Sequence, residues 1–361
     1  MVKQRAFIIV LILILVACGS EGEDQKKSEP TSGEAVWTQS VATLLVSLGS
    51  ATVTADGTDQ TIEALANPQP VRVGDRVAMA EDGEGVLTFF EGAETRLAPG
   101  TVVEVTTLEV SGESTHVDLT MLAGQTLNSV DKVLDANSRH EIITPAASIS
   151  IRGTDFLVFV RPNNLTQVAT TEGKVQVTAG QNQAEVTQGY GVAVQPDQTV
   201  GTVNVWAYAN PVISSPVDEM PPLAVIFTNT EKKFTFRYRI GDVMPVPLGP
   251  YELVVQSPGP ARVTGIEFPP ETPAETPQDI PVTLGAITLD VSGAEGETLM
   301  LTFTQGDLTN TVKATSGDTL LVGLGDWTVE VARESAPEQT QTVEFTAVED
   351  EVIPVAVEFG R

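Results

Sequence analysis

Hydrophobic residues in this chain recur at every second position, and that period decides what it can fold into. Lys233-Phe234-Thr235-Phe236-Arg237-Tyr238-Arg239-Ile240 puts Phe234, Phe236, Tyr238 and Ile240 on one side of an extended backbone. Similar short runs occupy Gly49–Ala55, Val86–Phe90, Thr101–Thr106, His116–Leu122, Phe156–Arg161, Lys174–Thr178, Ala286–Val291, Leu299–Phe303 and Trp327–Val331. Each is rich in Val, Ile, Thr or Phe and is bounded by Gly, Asp, Asn or Pro, the residues that turn or interrupt a strand. Helical spacing occurs only in Leu127–Ala136, through Leu127, Val130, Val133 and Leu134. That segment predicts either a short helix or an edge strand with a loop. The expected fold class is all-β.

Length and charge narrow the functions open to such a chain. Its 361 residues suit about two or three domains. With 41% hydrophobic residues, most of it can bury a core, which excludes wholesale disorder. A formal net charge of −28 opposes nucleic-acid binding, because nothing offsets repulsion from a polyanion. One cysteine excludes an internal disulfide framework and Cys-rich metal sites, and two histidines, His116 and His140, leave little for a His-based centre.

The N-terminus reads as an address. Lys3 and Arg5 precede the apolar run Ala6–Ala17, which ends in Leu15-Val16-Ala17-Cys18. As a helix rising about 1.5 Å per residue, the run spans only about 18 Å, short of a ~30 Å hydrocarbon core. A basic start and a short apolar stretch describe an export signal. Leu-Val-Ala-Cys resembles the bacterial lipobox, which implies cleavage before Cys18 and a thioether-linked diacylglycerol on its thiol. An export signal with an incidental cysteine is the plainer alternative. Two or three acyl chains hold a protein stably, at about 0.8 kcal/mol per buried methylene. Residues 1–17 thus form the expected signal peptide. The Gly/Ser/Glu-rich segment 18–36 forms the expected tether, leaving the body exported and anchored at a cell surface or periplasmic face.

A longer repeat runs through the C-terminal third. Leu248-Gly249-Pro250-Tyr251-Glu252-Leu253-Val254-Val255 matches Leu324-Gly325-Asp326-Trp327-Thr328-Val329-Glu330-Val331, with Tyr251 and Trp327 76 residues apart. Ile280-Pro281-Val282 matches Ile353-Pro354-Val355 at a separation of 73, and the Pro-rich segment Ser257–Pro277 absorbs the difference. A period near 75 suits a small β-sandwich. The pattern resembles transthyretin-like or PEGA-like modules of bacterial surface proteins. Tyr251 and Trp327 are expected in the core, with a glycan-stacking surface as the alternative.

Between about residues 40 and 200, one constellation is more specific. Ile143-Thr144-Pro145-Ala146-Ala147 leads into Ile149-Ser150-Ile151-Arg152-Gly153-Thr154-Asp155-Phe156, and Thr171-Glu172-Gly173-Lys174-Val175 follows. Upstream stand Val73-Gly74-Asp75-Arg76-Val77, Leu97-Ala98-Pro99-Gly100-Thr101 and Leu122-Ala123-Gly124-Gln125. This order resembles a FecR-type domain, whose pattern is a TP-x-A step, an RGT-x-F turn and a later EG-x-V hairpin. The best-known relatives resemble a sensor joined through one membrane span to a cytoplasmic segment controlling a sigma factor. Here the apolar run is short and ends in a lipobox, so direct control of that kind is not expected.

The residues carry their own argument. Pro145 withholds an amide, so a strand should begin after it. Gly153 breaks the strand, and Phe156, Val158 and Val160 resume the alternation. Arg152 offers two roles: gripping a carboxylate, or tying loop carbonyls and a neighbouring acid. The second is expected, since charges in compact β-folds are rarely left unpaired. Thr154, Glu172 and Gly173 are read likewise as structural. No nucleophile–base arrangement, metalloprotease motif or phosphate-binding glycine loop occurs, so no catalytic residue is assigned and no enzyme is expected. Asp56-Gly57-Thr58-Asp59 and Glu81-Asp82-Gly83-Glu84-Gly85 lack calcium-loop register and are expected as hairpin turns, so no metal or cofactor is assigned. The expected organisation is a FecR-type β-domain over 37–205 and sandwich repeats over 206–285 and 286–361. The partner would be an envelope protein or polysaccharide, or a membrane protein in a regulatory alternative.

Overall fold

A computed structural model describes residues 36–90, 93–130, 137–151, 153–294 and 296–360. The segments expected as signal peptide and tether, with Cys18 expected to carry lipid, lie outside the described residues but for Val36, and so does Arg152. No described residue is helical, and strands follow the alternating runs throughout. Trp37–Arg361 make one compact unit.

The first part is two sheets packed face to face. The long strand Ser114–Val130 belongs to both: its first half pairs with Val102–Ser111 and Arg139–Ile143, its second half with Ala93–Leu97 and Thr154–Val160. Gly124 is the corner. Its φ is +90°, and a Cβ there would sit 2.4 Å from the Thr101 Cα, so only glycine allows the strand to cross. The Thr101 hydroxyl donates to the Gln125 carbonyl and accepts from its amide, at 2.9 and 3.0 Å. Leu44, Leu87, Val105, Leu119, Ile149, Phe156 and Val177 fill the space between the sheets.

Leu127–Val130 is neither helix nor edge. Leu127 pairs with Arg96 on one side and Leu157 on the other, in mid-sheet. Bonds to partners on both sides outweigh the local spacing, which four residues of a buried strand imitate by chance. Residues 131–136 lie outside the described residues.

Two four-stranded sheets follow, each in the order second, first, third, fourth. One comprises Ala224–Asn229, Thr235–Arg239, Gly249–Gln256 and Ala261–Phe268; the other Leu299–Gln305, Leu308–Ala314, Gly325–Arg333 and Ala336–Ala347. Each faces a smaller sheet with a parallel pair. Asn204–Ser214 pairs in parallel with the first half of Pro277–Ser292, whose second half pairs in parallel with Val352–Glu358. Tyr251, Leu253 and Val255 enter one hydrophobic cluster, and Trp327, Val329 and Val331 the next. Both aromatic rings are core residues, each 1% exposed, which rules out the glycan-stacking alternative.

Candidate functional site

The motif residues meet as a backbone junction. Thr144 and Ala147 close a turn with Pro145 exposed at its second position: the Thr144 amide donates to the Ala147 carbonyl, and the Ala147 amide to Thr144 Oγ1. Ser148–Ile151 then begins, with Ile149 and Ile151 buried. Gly153 has φ +61° and Gly173 φ +74°, and a Cβ on Gly173 would lie 2.8 Å from the Gly153 carbonyl oxygen. Thr154 Oγ1 donates to the Lys174 carbonyl at 2.9 Å, joining the two turns. Phe156 is buried beneath, while Glu172 is exposed. Among the described residues of the motif, these hydrogen bonds run to backbone amides and carbonyls and tie the two turns together.

Beside it lies a polar groove of about 520 Å³ on the outer face of the first sheet. Strand register explains its pattern. Val117, His140, Ile151, Val175 and Val186 form one row across five strands, buried in the core. On one side of that row, Asp118, Glu141, Ser150, Gln176 and Glu185 form a polar row. On the other, His116 stands beside Arg139, and Lys174 lies further along. Ion pairs bridge the polar rows: Arg139 to Asp118, and Lys174 to Glu185 at 2.9 Å. Trp37 stacks on His116 at the rim, ring centroids 3.7 Å apart. This face can recognise anionic or hydroxylated groups through several donors at once.

Below the groove, His140 points into the core. It is 3% exposed and lies edge-on to Phe89, and its Nε2 has no hydrogen-bond partner. Burial pushes its pKa down to about 4, against the weaker upward pull of Asp118. The imidazole is therefore neutral at pH 7.

A second constellation joins this domain to the first sandwich. The buried Gln125 side chain acts like a strand: its Oε1 accepts from the Arg237 amide at 2.9 Å and its Nε2 donates to the Arg237 carbonyl. Arg96 pairs with Asp242, and Arg239 pairs with Glu84 and donates to Ser47 Oγ. Arg161 stacks its guanidinium 3.8 Å from the Phe234 ring centre, and burial lowers its pKa. Phe159 and Trp206 both contact Phe236, with centroids 5.2 and 5.7 Å away. Sequence reasoning missed this seam, although the unbroken apolar run Phe156-Leu157-Val158-Phe159-Val160 signals a strand covered on both faces.

Of the two acidic turns only the first is a hairpin. Glu81–Gly85 links Arg76–Met79 to Glu84–Phe90, which pair with other strands and not with each other, so the second expectation is corrected to a crossover between sheets. Asp56 and Gly57 have φ of +49° and +74°, as a two-residue hairpin loop requires, and Asp59 accepts from Thr54 Oγ1. Among the described residues, no three His, Cys, Asp or Glu side chains converge as a metal site, and no helix is long and apolar enough to cross a membrane.

Residues 75–176 match the family described as FecR protein. No curated protein matches the chain. Among solved structures, a candidate anti-sigma factor from Parabacteroides distasonis ATCC 8503 is similar at 20% identity, over 36% of this chain and 57% of that one, with a TM-score of 0.30. The match thus spans little more than half of that protein. The TIE protein of Bacillus anthracis is similar at 10% identity over 91% of this chain and 72% of its own, with a TM-score of 0.18. A leucine-rich repeat protein from Bacteroides thetaiotaomicron VPI-5482 is similar at 12% identity over 43% of this chain and 26% of its own, with a TM-score of 0.17. The family match covers the TP-x-A, RGT-x-F and EG-x-V elements and the turns that join them; the chain carries a FecR domain.

Proposed function

We propose that this protein is a non-enzymatic component of a bacterial cell envelope, lipid-anchored through Cys18, whose FecR and sandwich modules bind or scaffold another envelope macromolecule. The modules are taken as 37–205, 206–285 and 286–361, on a tether of 18–36. The observation that supports this most is the outward polar face between His116 and Glu185, which presents Arg139, Lys174, Ser150 and Gln176 side by side as hydrogen-bond donors. A protein or polysaccharide bearing carboxylates or hydroxyls matches those donors. A nucleic acid does not suit a chain of net charge −28.

Mass spectrometry of the full-length protein purified from membranes tests the anchor. The expected product lacks residues 1–17 and carries acyl groups on Cys18; a product that retains Met1 overturns it. Capture of envelope components by that protein tests the face. Charge reversal at Arg139→Glu and Lys174→Glu is expected to reduce capture at least tenfold, and unchanged capture overturns the assignment.

The seam favours a second reading, in which the chain is an extracytoplasmic sensor acting through a membrane partner. Gln125 and the Arg239–Glu84 pair couple the FecR domain to its neighbour, so a change in one is felt by the other. Envelope-responsive transcripts that do not change on gene deletion remove this reading.

A further inference from the structure

A cleft of about 530 Å³ opens where the FecR domain and both sandwiches meet, and it shares no lining residue with the polar face. Its size lies in the range of small-molecule sites, roughly 300–1,000 Å³. Charges of opposite sign stand on different walls. The FecR wall carries Glu81, Asp82 and Glu84; the wall from the first sandwich carries Arg237 and Arg239; the last sandwich adds Asn310.

Two of these charges neutralise each other, since Arg239 Nε binds Glu84. The others do not. Glu81, Asp82 and the Arg237 guanidinium form no ion pair or side-chain hydrogen bond among the described residues. Glu81 and Asp82 are exposed, and each stands beside a glycine of its own domain. Asp82 Oδ1 lies 2.8 Å from where a Gly49 Cβ would be, and Glu81 Oε1 lies 3.4 Å from the corresponding point of Gly100. Gln125 takes both the amide and the carbonyl of Arg237, which stands opposite Ile226 in the sheet. The cleft therefore holds two carboxylates and one guanidinium, set apart and facing a common space. A divalent cation would leave Arg237 repelled, and a simple anion would leave Glu81 and Asp82 repelled. A molecule with a positive and a negative end satisfies both walls.

We infer that this cleft binds a zwitterion, a free α-amino acid or a short peptide, with its ammonium group at Glu81 and Asp82 and its carboxylate at Arg237. Bound there, it bridges the FecR domain and the first sandwich and tightens the seam beside it.

Calorimetry and thermal unfolding of the full-length protein with alanine, dialanine and trialanine test this, with N-acetylated and C-amidated dialanine as blocked analogues. Saturable binding of at least one zwitterion is expected, with each blocked analogue at least tenfold weaker. Which of the three binds best distinguishes a free amino acid from a peptide. Arg237→Met is expected to abolish the preference for the acid over the amide, and Arg237→Lys to keep it. Glu81→Gln with Asp82→Asn is expected to abolish the preference for the free amine. Circular dichroism without ligand establishes that each variant is folded. No binding of any zwitterion at millimolar concentration, or equal binding of the blocked forms, overturns the inference.

Discussion

Tyr251 and Trp327 occupy the same place in two sheets of the same strand order, and each donates to the carbonyl four residues upstream. Tyr251 Oη reaches the Pro247 carbonyl at 2.8 Å, and Trp327 Nε1 reaches that of Gly323 at 2.7 Å. Two residues before each ring stands a glycine of positive φ, Gly249 at +137° and Gly325 at +106°. The outer strands part company. Thr235–Arg239 buries Phe236 and Tyr238 and has its backbone taken up by Gln125. Its counterpart Leu308–Ala314 leaves Thr309, Thr311 and Lys313 in solvent. The difference teaches that the sandwich stands on its own aromatic bond and core. The seam is an addition made on one copy, by side chains that reach out from another domain.

Removing the shared element should have the largest effect. Trp327→Ala is expected to destabilise the full-length protein by about 3–5 kcal/mol, and Tyr251→Ala by a comparable amount, in urea titrations. A loss below about 1 kcal/mol at either site would break the equivalence of the copies.

Acid should act on the FecR domain through buried His140; the sandwiches contain no histidine, and their response to acid comes from paired carboxylates such as Asp307, which Arg262 holds below the usual range. The folded-state pKa of His140 lies below that of the unfolded chain, so the unfolded state takes the proton first as pH falls. Stability is therefore complete above pH 6.5 and declines towards pH 4, by about 3 kcal/mol in total. His140→Leu should remove that part of the pH dependence, measured as the difference in unfolding free energy between pH 7 and pH 4.

Gln125→Met keeps the bulk but leaves the Arg237 amide and carbonyl unpaired. The expected loss is about 2 kcal/mol, with faster amide exchange in Thr235–Arg239 and none in Leu308–Ala314. Equal exchange in both strands would mean that the clip holds nothing. The smallest effect belongs to an exposed ion pair on the other copy. Lys313 and Glu334 form an ion pair while Lys313 remains 61% exposed, so Lys313→Ala should change stability by no more than about 0.5 kcal/mol.

Much of this architecture was legible because strand period and buried aromatics are local signals. Each alternating run is a strand, and Tyr251 and Trp327 lie in the core where their spacing put them. The groove was legible only in part: His116–Leu122 and Lys174–Thr178 read as strands, but nothing local says that His116 and Lys174 share a face. That depends on a parallel pairing of Ser114–Val130 with Arg139–Ile143. Gln125 was visible as part of the FecR resemblance. Its work is done 112 residues away, where no periodicity reaches. Leu127 and Val130 misled for the same reason, because their neighbours come from strands distant in sequence.

Pro277–Ser292 runs unbroken from one sandwich into the next, so these two bodies meet through a beam and not through a hinge. The 285/286 boundary falls inside it. A scission there would leave each fragment half of a strand and an open sheet edge. A pull on the far end of the chain would travel along the beam to the first sandwich before any joint could flex. Whatever the last sandwich holds, its load is delivered to the neighbour of the FecR domain.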